Sequence, residues 1–199
     1  MKHCLEKALQ VVHRRRVSEI ILYPTETVYG LGVHAFDAEA WRDLCVLKGR
    51  SEAQRASWLV RDMSDIERLA VVAPAARELA QQYLPGPLTL VLQAKDTVPA
   101  HCVAADGTVS FRISSDGVAA ALIADYMERS GGVPLTCTSA NVHGLPPQTT
   151  PTEILLQFGD RATMITQVID GGKRSGQAST VVRCVGEDVS ILRQGVIAV

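Results

Sequence analysis

This sequence lacks the patterns by which several large classes of enzymes are recognised. Neither GxxxxGK(S/T), which cradles phosphates, nor GxGxxG, which binds dinucleotides, occurs in its 199 residues. The HExxH spacing of zinc proteases and the GxSxG turn of α/β-hydrolases are missing as well. No covalent nucleophile therefore stands out. An enzyme built from this chain would work by positioning substrates and stabilising developing charge.

Paired cysteines and long apolar runs are absent too. The five cysteines form no CxxC pair and their number is odd, so neither a zinc site nor a disulfide framework is indicated. We expect free thiols in a reducing compartment. No run of about 18 apolar residues predicts a membrane span, and charged residues 1–16 lack the apolar centre of a signal peptide, so we expect a cytoplasmic protein. The cysteines are Cys4, Cys45, Cys102, Cys137 and Cys184.

Net charge and length further restrict the possible functions and the number of domains. The net charge of −1 does not indicate non-specific nucleic-acid binding, although it is compatible with a local basic pocket. A chain of this length fits one domain over residues 1–199. Hydrophobic residues make up 47% and aromatic residues 5%, so mainly aliphatic side chains must fill the core.

Helical and strand patterns are interspersed along the chain, which predicts an α/β fold with a mixed sheet and helices packed on it. Asp37 is the predicted N-cap of the second helix. Helices are predicted over residues 4–16, 37–47, 64–69, 74–83, 116–129 and 152–158. Strands are predicted over residues 20–23, 57–61, 88–92, 109–113, 135–138, 164–169, 179–184 and 189–193.

Two segments in the first quarter carry candidate ligand-binding groups. Thr25 and Thr27 follow an apolar strand and precede two glycines, which suits either a small polar ligand or an ordinary turn. Lys48 and Arg50 end a predicted helix. They suit either phosphate binding or stabilisation of the helix C-terminus by positive charge.

Further candidates lie in the second half. Arg112 and Arg193 fall inside predicted strands, where a cation needs a partner or a polar cleft. They either share a pocket that binds an anion or are two separate surface arginines. Ser139 and Asn141 follow a strand and suit phosphate or sugar oxygens, or simply cap that strand. The basic, glycine-rich loop over residues 171–176 suits either a mobile segment over a site or a solvated connection.

Seven segments together resemble the YrdC family of threonylcarbamoyl-AMP synthases. Each segment is short, and the resemblance rests on their order and spacing over about residues 5–197. The segments are YPTETVYGLG (23–32), KGR (48–50), LPGPLTLV (84–91), SFR (110–112), TSANxxG (138–144), STVV (179–182) and LRQG (192–195).

The resemblance implies a twisted mixed sheet flanked by helices, with a large concave basic cleft. It also implies an L-threonylcarbamoyladenylate synthase, a nucleotidyltransferase in which threonine and bicarbonate give a carbamate that attacks the α-phosphate of ATP and releases pyrophosphate. ATP with Mg2+ is then the substrate, with no protein-bound cofactor and no metal site of the protein. Downstream threonylcarbamoyl-transfer proteins would modify adenosine 37 of tRNA, and RNA is a further expected partner.

The same resemblance assigns residues to roles. Lys48 and Arg50 correspond to a phosphate-binding, catalytic pair. Threonine binding falls to Thr25, Arg112 and Ser179. Besides the catalytic pair, the nucleotide-binding residues are Thr89, Ser139, Asn141 and Arg193.

Three positions depart from the family pattern. Ser51, Ala56 and Ser114 stand where the family usually has proline. Because proline restricts a loop, we expect either a looser cleft rim or a cleft reshaped for another acyl or amino-acid substrate. The chain otherwise resembles the short, single-domain form of the family.

Two alternatives to the synthase remain open. One is a YrdC-like protein that binds RNA or nucleotide without making the adenylate, with salt-dependent affinity. The scarcity of aromatic residues argues against single-strand binding by stacking. The other is a carbamoyl-adenylate enzyme with another acceptor, which the missing prolines favour.

Overall fold

The computed structural model describes residues 18–199, so the helix predicted over residues 4–16 lies outside it. Within that range the chain forms five α-helices and a ten-stranded sheet, which confirms the predicted α/β class. The helices are α1 (Ala38–Lys48), α2 (Met63–Leu69), α3 (Pro74–Tyr83), α4 (Gly117–Arg129) and α5 (Pro151–Phe158). The strands are β1 (Ile21–Tyr23), β2 (Gly30–Gly32), β3 (Ser57–Leu59), β4 (Ala70–Val71), β5 (Leu88–Ala94), β6 (Thr108–Arg112), β7 (Leu135–Ser139), β8 (Gln167–Val168), β9 (Thr180–Val185) and β10 (Asp188–Arg193).

The sheet is mixed, as predicted. Its order is β10-β9-β5-β6-β3-β7-β2-β1-β8, and β4 pairs with β5 off this path. Three neighbouring pairs are parallel, namely β5 with β9, β3 with β6 and β1 with β8. The other neighbours run antiparallel. Both directions occur because several strands follow one another along the chain without an intervening helix.

Helices cover both faces of the sheet. Leu22 of β1 belongs to a buried cluster with residues of α1 and α5, whereas Ile21 and Tyr23 belong to a cluster with α4. Successive strand residues point to opposite faces, so α4 packs on the face opposite to α1 and α5. A third cluster joins α2 and α3 to strands β3, β5, β6 and β9.

The ends of α1 determine where the residues of the KGR segment lie. Asp37 caps the helix as predicted and accepts hydrogen bonds from the backbone N–H groups of Glu39 at 2.9 Å and Ala40 at 3.0 Å. The helix ends at Gly49, whose φ of 68° is the left-handed conformation that favours glycine. The chain therefore turns sharply between Lys48 and Arg50.

Strand β2 is not predicted by the sequence pattern, because two of its three residues are glycines. Gly32 lies so close to β7 that an added Cβ atom would be 2.5 Å from the Leu135 side chain and 2.7 Å from the Thr136 carbonyl oxygen. Only glycine permits that approach, yet glycine is disfavoured in strands, so the residue pattern does not predict a strand here. The strand predicted over residues 164–169 is also shorter than expected: a 3-10 helix ends at Met164, and the strand covers Gln167–Val168.

Two further expectations concern thiols and membranes. Among residues 18–199, Cys45, Cys102, Cys137 and Cys184 are free thiols. In the same range no helix has the length and apolar character needed to cross a membrane.

Candidate active site

One cavity of about 490 Å3 brings together the predicted site residues, with Lys48 as the exception. Its volume is usual for a site that binds a small molecule. Four arginines line it, and no Asp or Glu is among its lining residues within the described range. Positive charge without lining carboxylates suits an anionic ligand. The arginines are Arg50, Arg55, Arg112 and Arg193.

Arg112, the last residue of β6, is held by the segment that follows β1. Its Nη2 donates to the Glu26 carboxylate at 2.9 Å and to the Thr27 hydroxyl, and the Thr25 hydroxyl lies at 3.4 Å. Its Nε is buried and has no acceptor among the described residues. Burial lowers the pKa of Arg112, but the negative charge of Cys137 in its thiolate form and that of the Glu26 carboxylate outweigh that effect and raise the pKa. The guanidinium therefore stays charged.

Thr25 lines the cavity, but its hydroxyl is already hydrogen-bonded within a turn. Its Oγ1 donates to the Val28 carbonyl oxygen at 2.6 Å and lies 3.0 Å from Thr27 Oγ1. The backbone N–H of Thr25 also donates to Val28, at 3.2 Å. The side chain lines the cavity, and its hydroxyl fixes the shape of the turn.

Ser114 completes the network around Glu26. Its hydroxyl donates to the carboxylate oxygen that Arg112 does not use, and it accepts a hydrogen bond from the Asp116 N–H at 3.2 Å. Ser114 is buried. At one of the positions where the family usually has proline, this chain thus has a serine that is fixed by hydrogen bonds on both sides.

Arg50 follows the turn at Gly49 and lines another part of the cavity. Its Nη1 donates to Thr138 Oγ1 at 3.1 Å, and its Nη2 donates to the carbonyl oxygens of Gln54 and, at 3.1 Å, Arg55. Its Nε is buried without an acceptor in residues 18–199. Burial lowers the pKa of this guanidinium. A buried donor without a partner is unusual and is consistent with a site that a ligand completes.

Lys48 does not line the cavity. Its ammonium group lies behind the end of β7, where it donates to the carbonyl oxygens of Ser139 and, at 2.8 Å, Asn141. Lys48 is buried, and burial together with the charge of Arg50 lowers its pKa to about 7. In this structure Lys48 therefore supports the Ser139–Asn141 turn from behind.

Ser139 and Asn141 form that turn at the cavity wall. The Ser139 hydroxyl donates to Asn141 Oδ1 at 2.5 Å. The Asn141 amide donates to the carbonyl oxygens of Val142 at 2.9 Å and Leu145 at 2.7 Å. Both side chains are thus held by the turn itself, and both line the cavity.

Arg193, Ser179 and Thr89 meet at a third part of the cavity. Arg193 donates from Nε and Nη2 to the Ser179 carbonyl oxygen at 3.1 and 2.9 Å, and from Nη2 to its hydroxyl at 3.1 Å. The hydroxyls of Ser179 and Thr89 lie 3.0 Å apart. Gly195 makes this packing possible, because an added Cβ atom would lie 2.3 Å from the Ser179 carbonyl carbon.

The basic loop over residues 171–176 lies against the segment that carries the threonines. Ser175 Oγ and the Gly176 N–H donate to the Thr27 carbonyl oxygen at 3.1 and 3.3 Å. Arg174 forms an ion pair of 3.0 Å with Asp116, and its guanidinium lies 5.8 Å from the ring centre of Tyr29. These contacts hold the loop against the protein, and none of residues 171–176 is among the residues that line the cavity.

Comparison with known proteins assigns this arrangement to a family. The Sua5/YciO/YrdC family model, described as "Telomere recombination", matches residues 15–195. The chain belongs to this family. A threonylcarbamoyl-AMP synthase of Bacillus subtilis is 34% identical over 183 residues, which cover 90% of this chain and 51% of that protein. A putative threonylcarbamoyl-AMP synthase of Methanocaldococcus jannaschii is 31% identical, with 91% and 82% covered.

Solved structures of Sua5/YciO/YrdC proteins show the same fold. Pyrococcus abyssi Sua5 complexed with L-threonine superposes with a TM-score of 0.78 and 33% identity, covering 89% of this chain and 50% of that one. Escherichia coli YciO, at 24% identity, also has a TM-score of 0.78 and covers 98% of this chain and 91% of its own. The chain thus spans about half the length of the Bacillus and Pyrococcus relatives.

Sequence reasoning missed several residues that line the cavity of this family member. Cys137 and Thr138 belong to the same strand as Ser139, and Ser57 begins the neighbouring strand. Only the pairing of β3 with β7 brings them together, so no local pattern marks Ser57. The remaining unpredicted lining residues include Val28, Gly30, Ala56, Pro147, Ala178 and Val181.

Proposed function

We propose that this chain is an L-threonylcarbamoyladenylate synthase. The threonine amine adds to bicarbonate with loss of water and gives a carbamate. A carbamate oxygen attacks the α-phosphorus of ATP, and pyrophosphate leaves as threonylcarbamoyl-AMP forms. Family membership, the names of the relatives and the threonine complex of Pyrococcus abyssi Sua5 support this activity.

The observation that carries the proposal is the shared cavity of Arg50, Arg112 and Arg193. A triphosphate and an amino-acid carboxylate are both anions, and both need fixed cations and hydrogen-bond donors. Negative charge also develops at the α-phosphorus during the attack, so arginines held in place by the protein stabilise the transition state. An acid–base pair or a covalent nucleophile is not required for this chemistry.

Under this proposal, the roles implied by the family resemblance divide the cavity residues into two groups. Threonine binds between Arg112, the Thr25 turn and Ser179, where the guanidinium receives the carboxylate. The nucleotide, entering as MgATP, lies along Arg50, the Ser139–Asn141 turn, Thr89 and Arg193. Lys48 donates hydrogen bonds to the carbonyl oxygens of that turn and keeps its backbone in place.

The product fixes what must follow. Threonylcarbamoyl-AMP is a mixed anhydride, so an acceptor amine and a transfer protein must consume it before water does. We propose tRNA position 37 as the acceptor, reached through separate threonylcarbamoyl-transfer proteins. Bicarbonate, ATP and L-threonine are the substrates.

Pyrophosphate release tests the proposal. The purified chain is incubated with ATP, Mg2+ and bicarbonate, with and without L-threonine, and L-serine and L-valine serve as matched amino acids that lack the methyl or the hydroxyl group. We expect release that depends on threonine and bicarbonate. Equal release with another amino acid would indicate a different amino-acid substrate. No release despite measurable ATP or RNA binding would indicate a binding protein.

A further inference from the structure

The segment that joins Arg50 to β3 has few contacts of its own. Residues 51–55 are exposed, and the hydrogen bond from Gln54 N–H to the Ser51 carbonyl at 3.2 Å is local. Two usual proline positions, Ser51 and Ala56, bound this segment. Its conformation, and with it the direction of Arg50, therefore depends on contacts with the rest of the protein.

Trp41 makes such contacts at two points. It lies on α1, it is 7% exposed, and it packs in the buried cluster that also contacts Ala56. Its indole Nε1 donates to the Glu52 carbonyl oxygen at 3.1 Å. The guanidinium carbon of Arg50 lies 5.3 Å from the centre of its ring, within the range of a cation–π contact.

The contacts of Trp41 and Arg50 connect α1 to several points of the segment over residues 51–55. Trp41 holds Glu52 and Arg50, and Arg50 in turn donates to the carbonyl oxygens of Gln54 and Arg55. A second link to the segment, the ion pair between Arg42 and Glu52, is 3.5 Å long and joins two side chains that are more than half exposed, so it contributes little.

We propose that Trp41 is a positioning residue that orients Arg50 toward the cavity and holds residues 51–55 in place. It does not line the cavity, so it acts through Arg50 and not on the substrate. The inference rests on the proposed function only in naming ATP as the anion that Arg50 binds. That Trp41 orients Arg50 and holds residues 51–55 follows from the contacts alone.

Equilibrium binding of MgATP to two variants tests the effect on Arg50. Trp41→Leu removes both the ring face and the N–H, and we expect about two- to thirty-fold weaker binding from the lost cation–π contact. Trp41→Phe keeps a ring and loses the N–H, so its loss is smaller. Trp58→Phe is the matched control, since Trp58 is also buried but packs against Phe36 and Phe111. In steady-state assays the KM for ATP rises and the KM for threonine does not.

Limited trypsin digestion tests whether Trp41 holds residues 51–55 in place, and it does not depend on catalysis. We expect faster cleavage after Arg50 and Arg55 in both Trp41 variants than in the wild type and Trp58→Phe. The inference is wrong if Trp41→Leu binds ATP as tightly as the wild type and is cleaved no faster. If Trp41→Leu does not fold, the same two results in Trp41→Phe overturn the inference. A wild type that binds ATP but releases no pyrophosphate refutes the proposed function and leaves this test intact.

Discussion

The Glu26 carboxylate accepts a hydrogen bond from Arg112 Nη2 at 2.9 Å, and the two side chains are 15% and 6% exposed. Removing one partner of such a pair leaves a buried charge uncompensated, which costs far more than the pair itself contributes. Glu26 does not line the cavity, whereas Arg112 does. The carboxylate therefore sets the position of a binding residue without meeting the ligand.

Glu26→Ala should both destabilise the protein and weaken threonine binding. We expect a loss of about 3–5 kcal/mol in the free energy of unfolding, because Arg112 stays buried without its partner. The KM for threonine should rise more than the KM for ATP. Glu67→Ala is the control, since Glu67 pairs with Arg77 at 2.7 Å on the surface, where a pair contributes about 0–1 kcal/mol. Equal losses in urea unfolding for the two variants would refute the role of Glu26.

Ser114→Ala should affect the same site more mildly. The substitution removes the hydrogen bond to Glu26 and the acceptor for the Asp116 N–H, so about 1 kcal/mol of stability should be lost. Since Glu26 then has one fixed oxygen instead of two, the KM for threonine should rise. Steady-state kinetics at several threonine concentrations measure it. A KM equal to that of the wild type would show that Arg112 alone holds Glu26.

The fold was largely predictable, because its elements carry strong local signals. The stripe of Ala40, Leu44 and Leu47 after Asp37 predicts α1, and the structure confirms both the helix and its cap. Strand β2 escaped prediction because its glycines are chosen for close packing against Tyr23 and Leu135, a contact that no local pattern reveals.

The sequence predicted part of the set of residues that share the cavity, and it did not predict their contacts. The roles implied by the family named eight of the 18 residues that line the cavity. They also placed Lys48 at the phosphates, whereas the structure places its ammonium group on the carbonyl oxygens of Ser139 and Asn141. The contact of Trp41 with Arg50 joins α1 to the loop that follows it, and neither residue type indicates that pairing. Such details depend on the tertiary fold.

The lowered pKa of Lys48 predicts a specific dependence of stability on pH. Its pKa is about 7 in the folded protein and 10.5 ordinarily. Between those values the unfolded chain binds a proton that the folded protein does not, so the free energy of unfolding should rise with pH relative to a variant without the lysine. Lys48→Met is that variant, and it should also lose activity because the Ser139–Asn141 turn loses its support.

Urea unfolding of the wild type and Lys48→Met from pH 6.5 to 9.5 measures the difference. Titrations that the two proteins share cancel. Lys95→Met controls for the loss of a lysine, since Lys95 also donates to a carbonyl oxygen but is exposed. A difference between wild type and Lys48→Met that stays constant over this range would show that Lys48 remains protonated, held by its two carbonyl partners.

Arg193→Lys should impair activity although it preserves the charge. Arg193 bonds to both the carbonyl oxygen and the hydroxyl of Ser179, and a single ammonium group does not reproduce that fork. Losing one charge-assisted bond of about 1.5–3 kcal/mol should lower kcat/KM about 10- to 160-fold. Arg183→Lys is the matched control, because Arg183 on β9 pairs with Asp188 outside the cavity. Equal kcat/KM for the two variants would mean that Ser179 is positioned by the backbone of β9 alone.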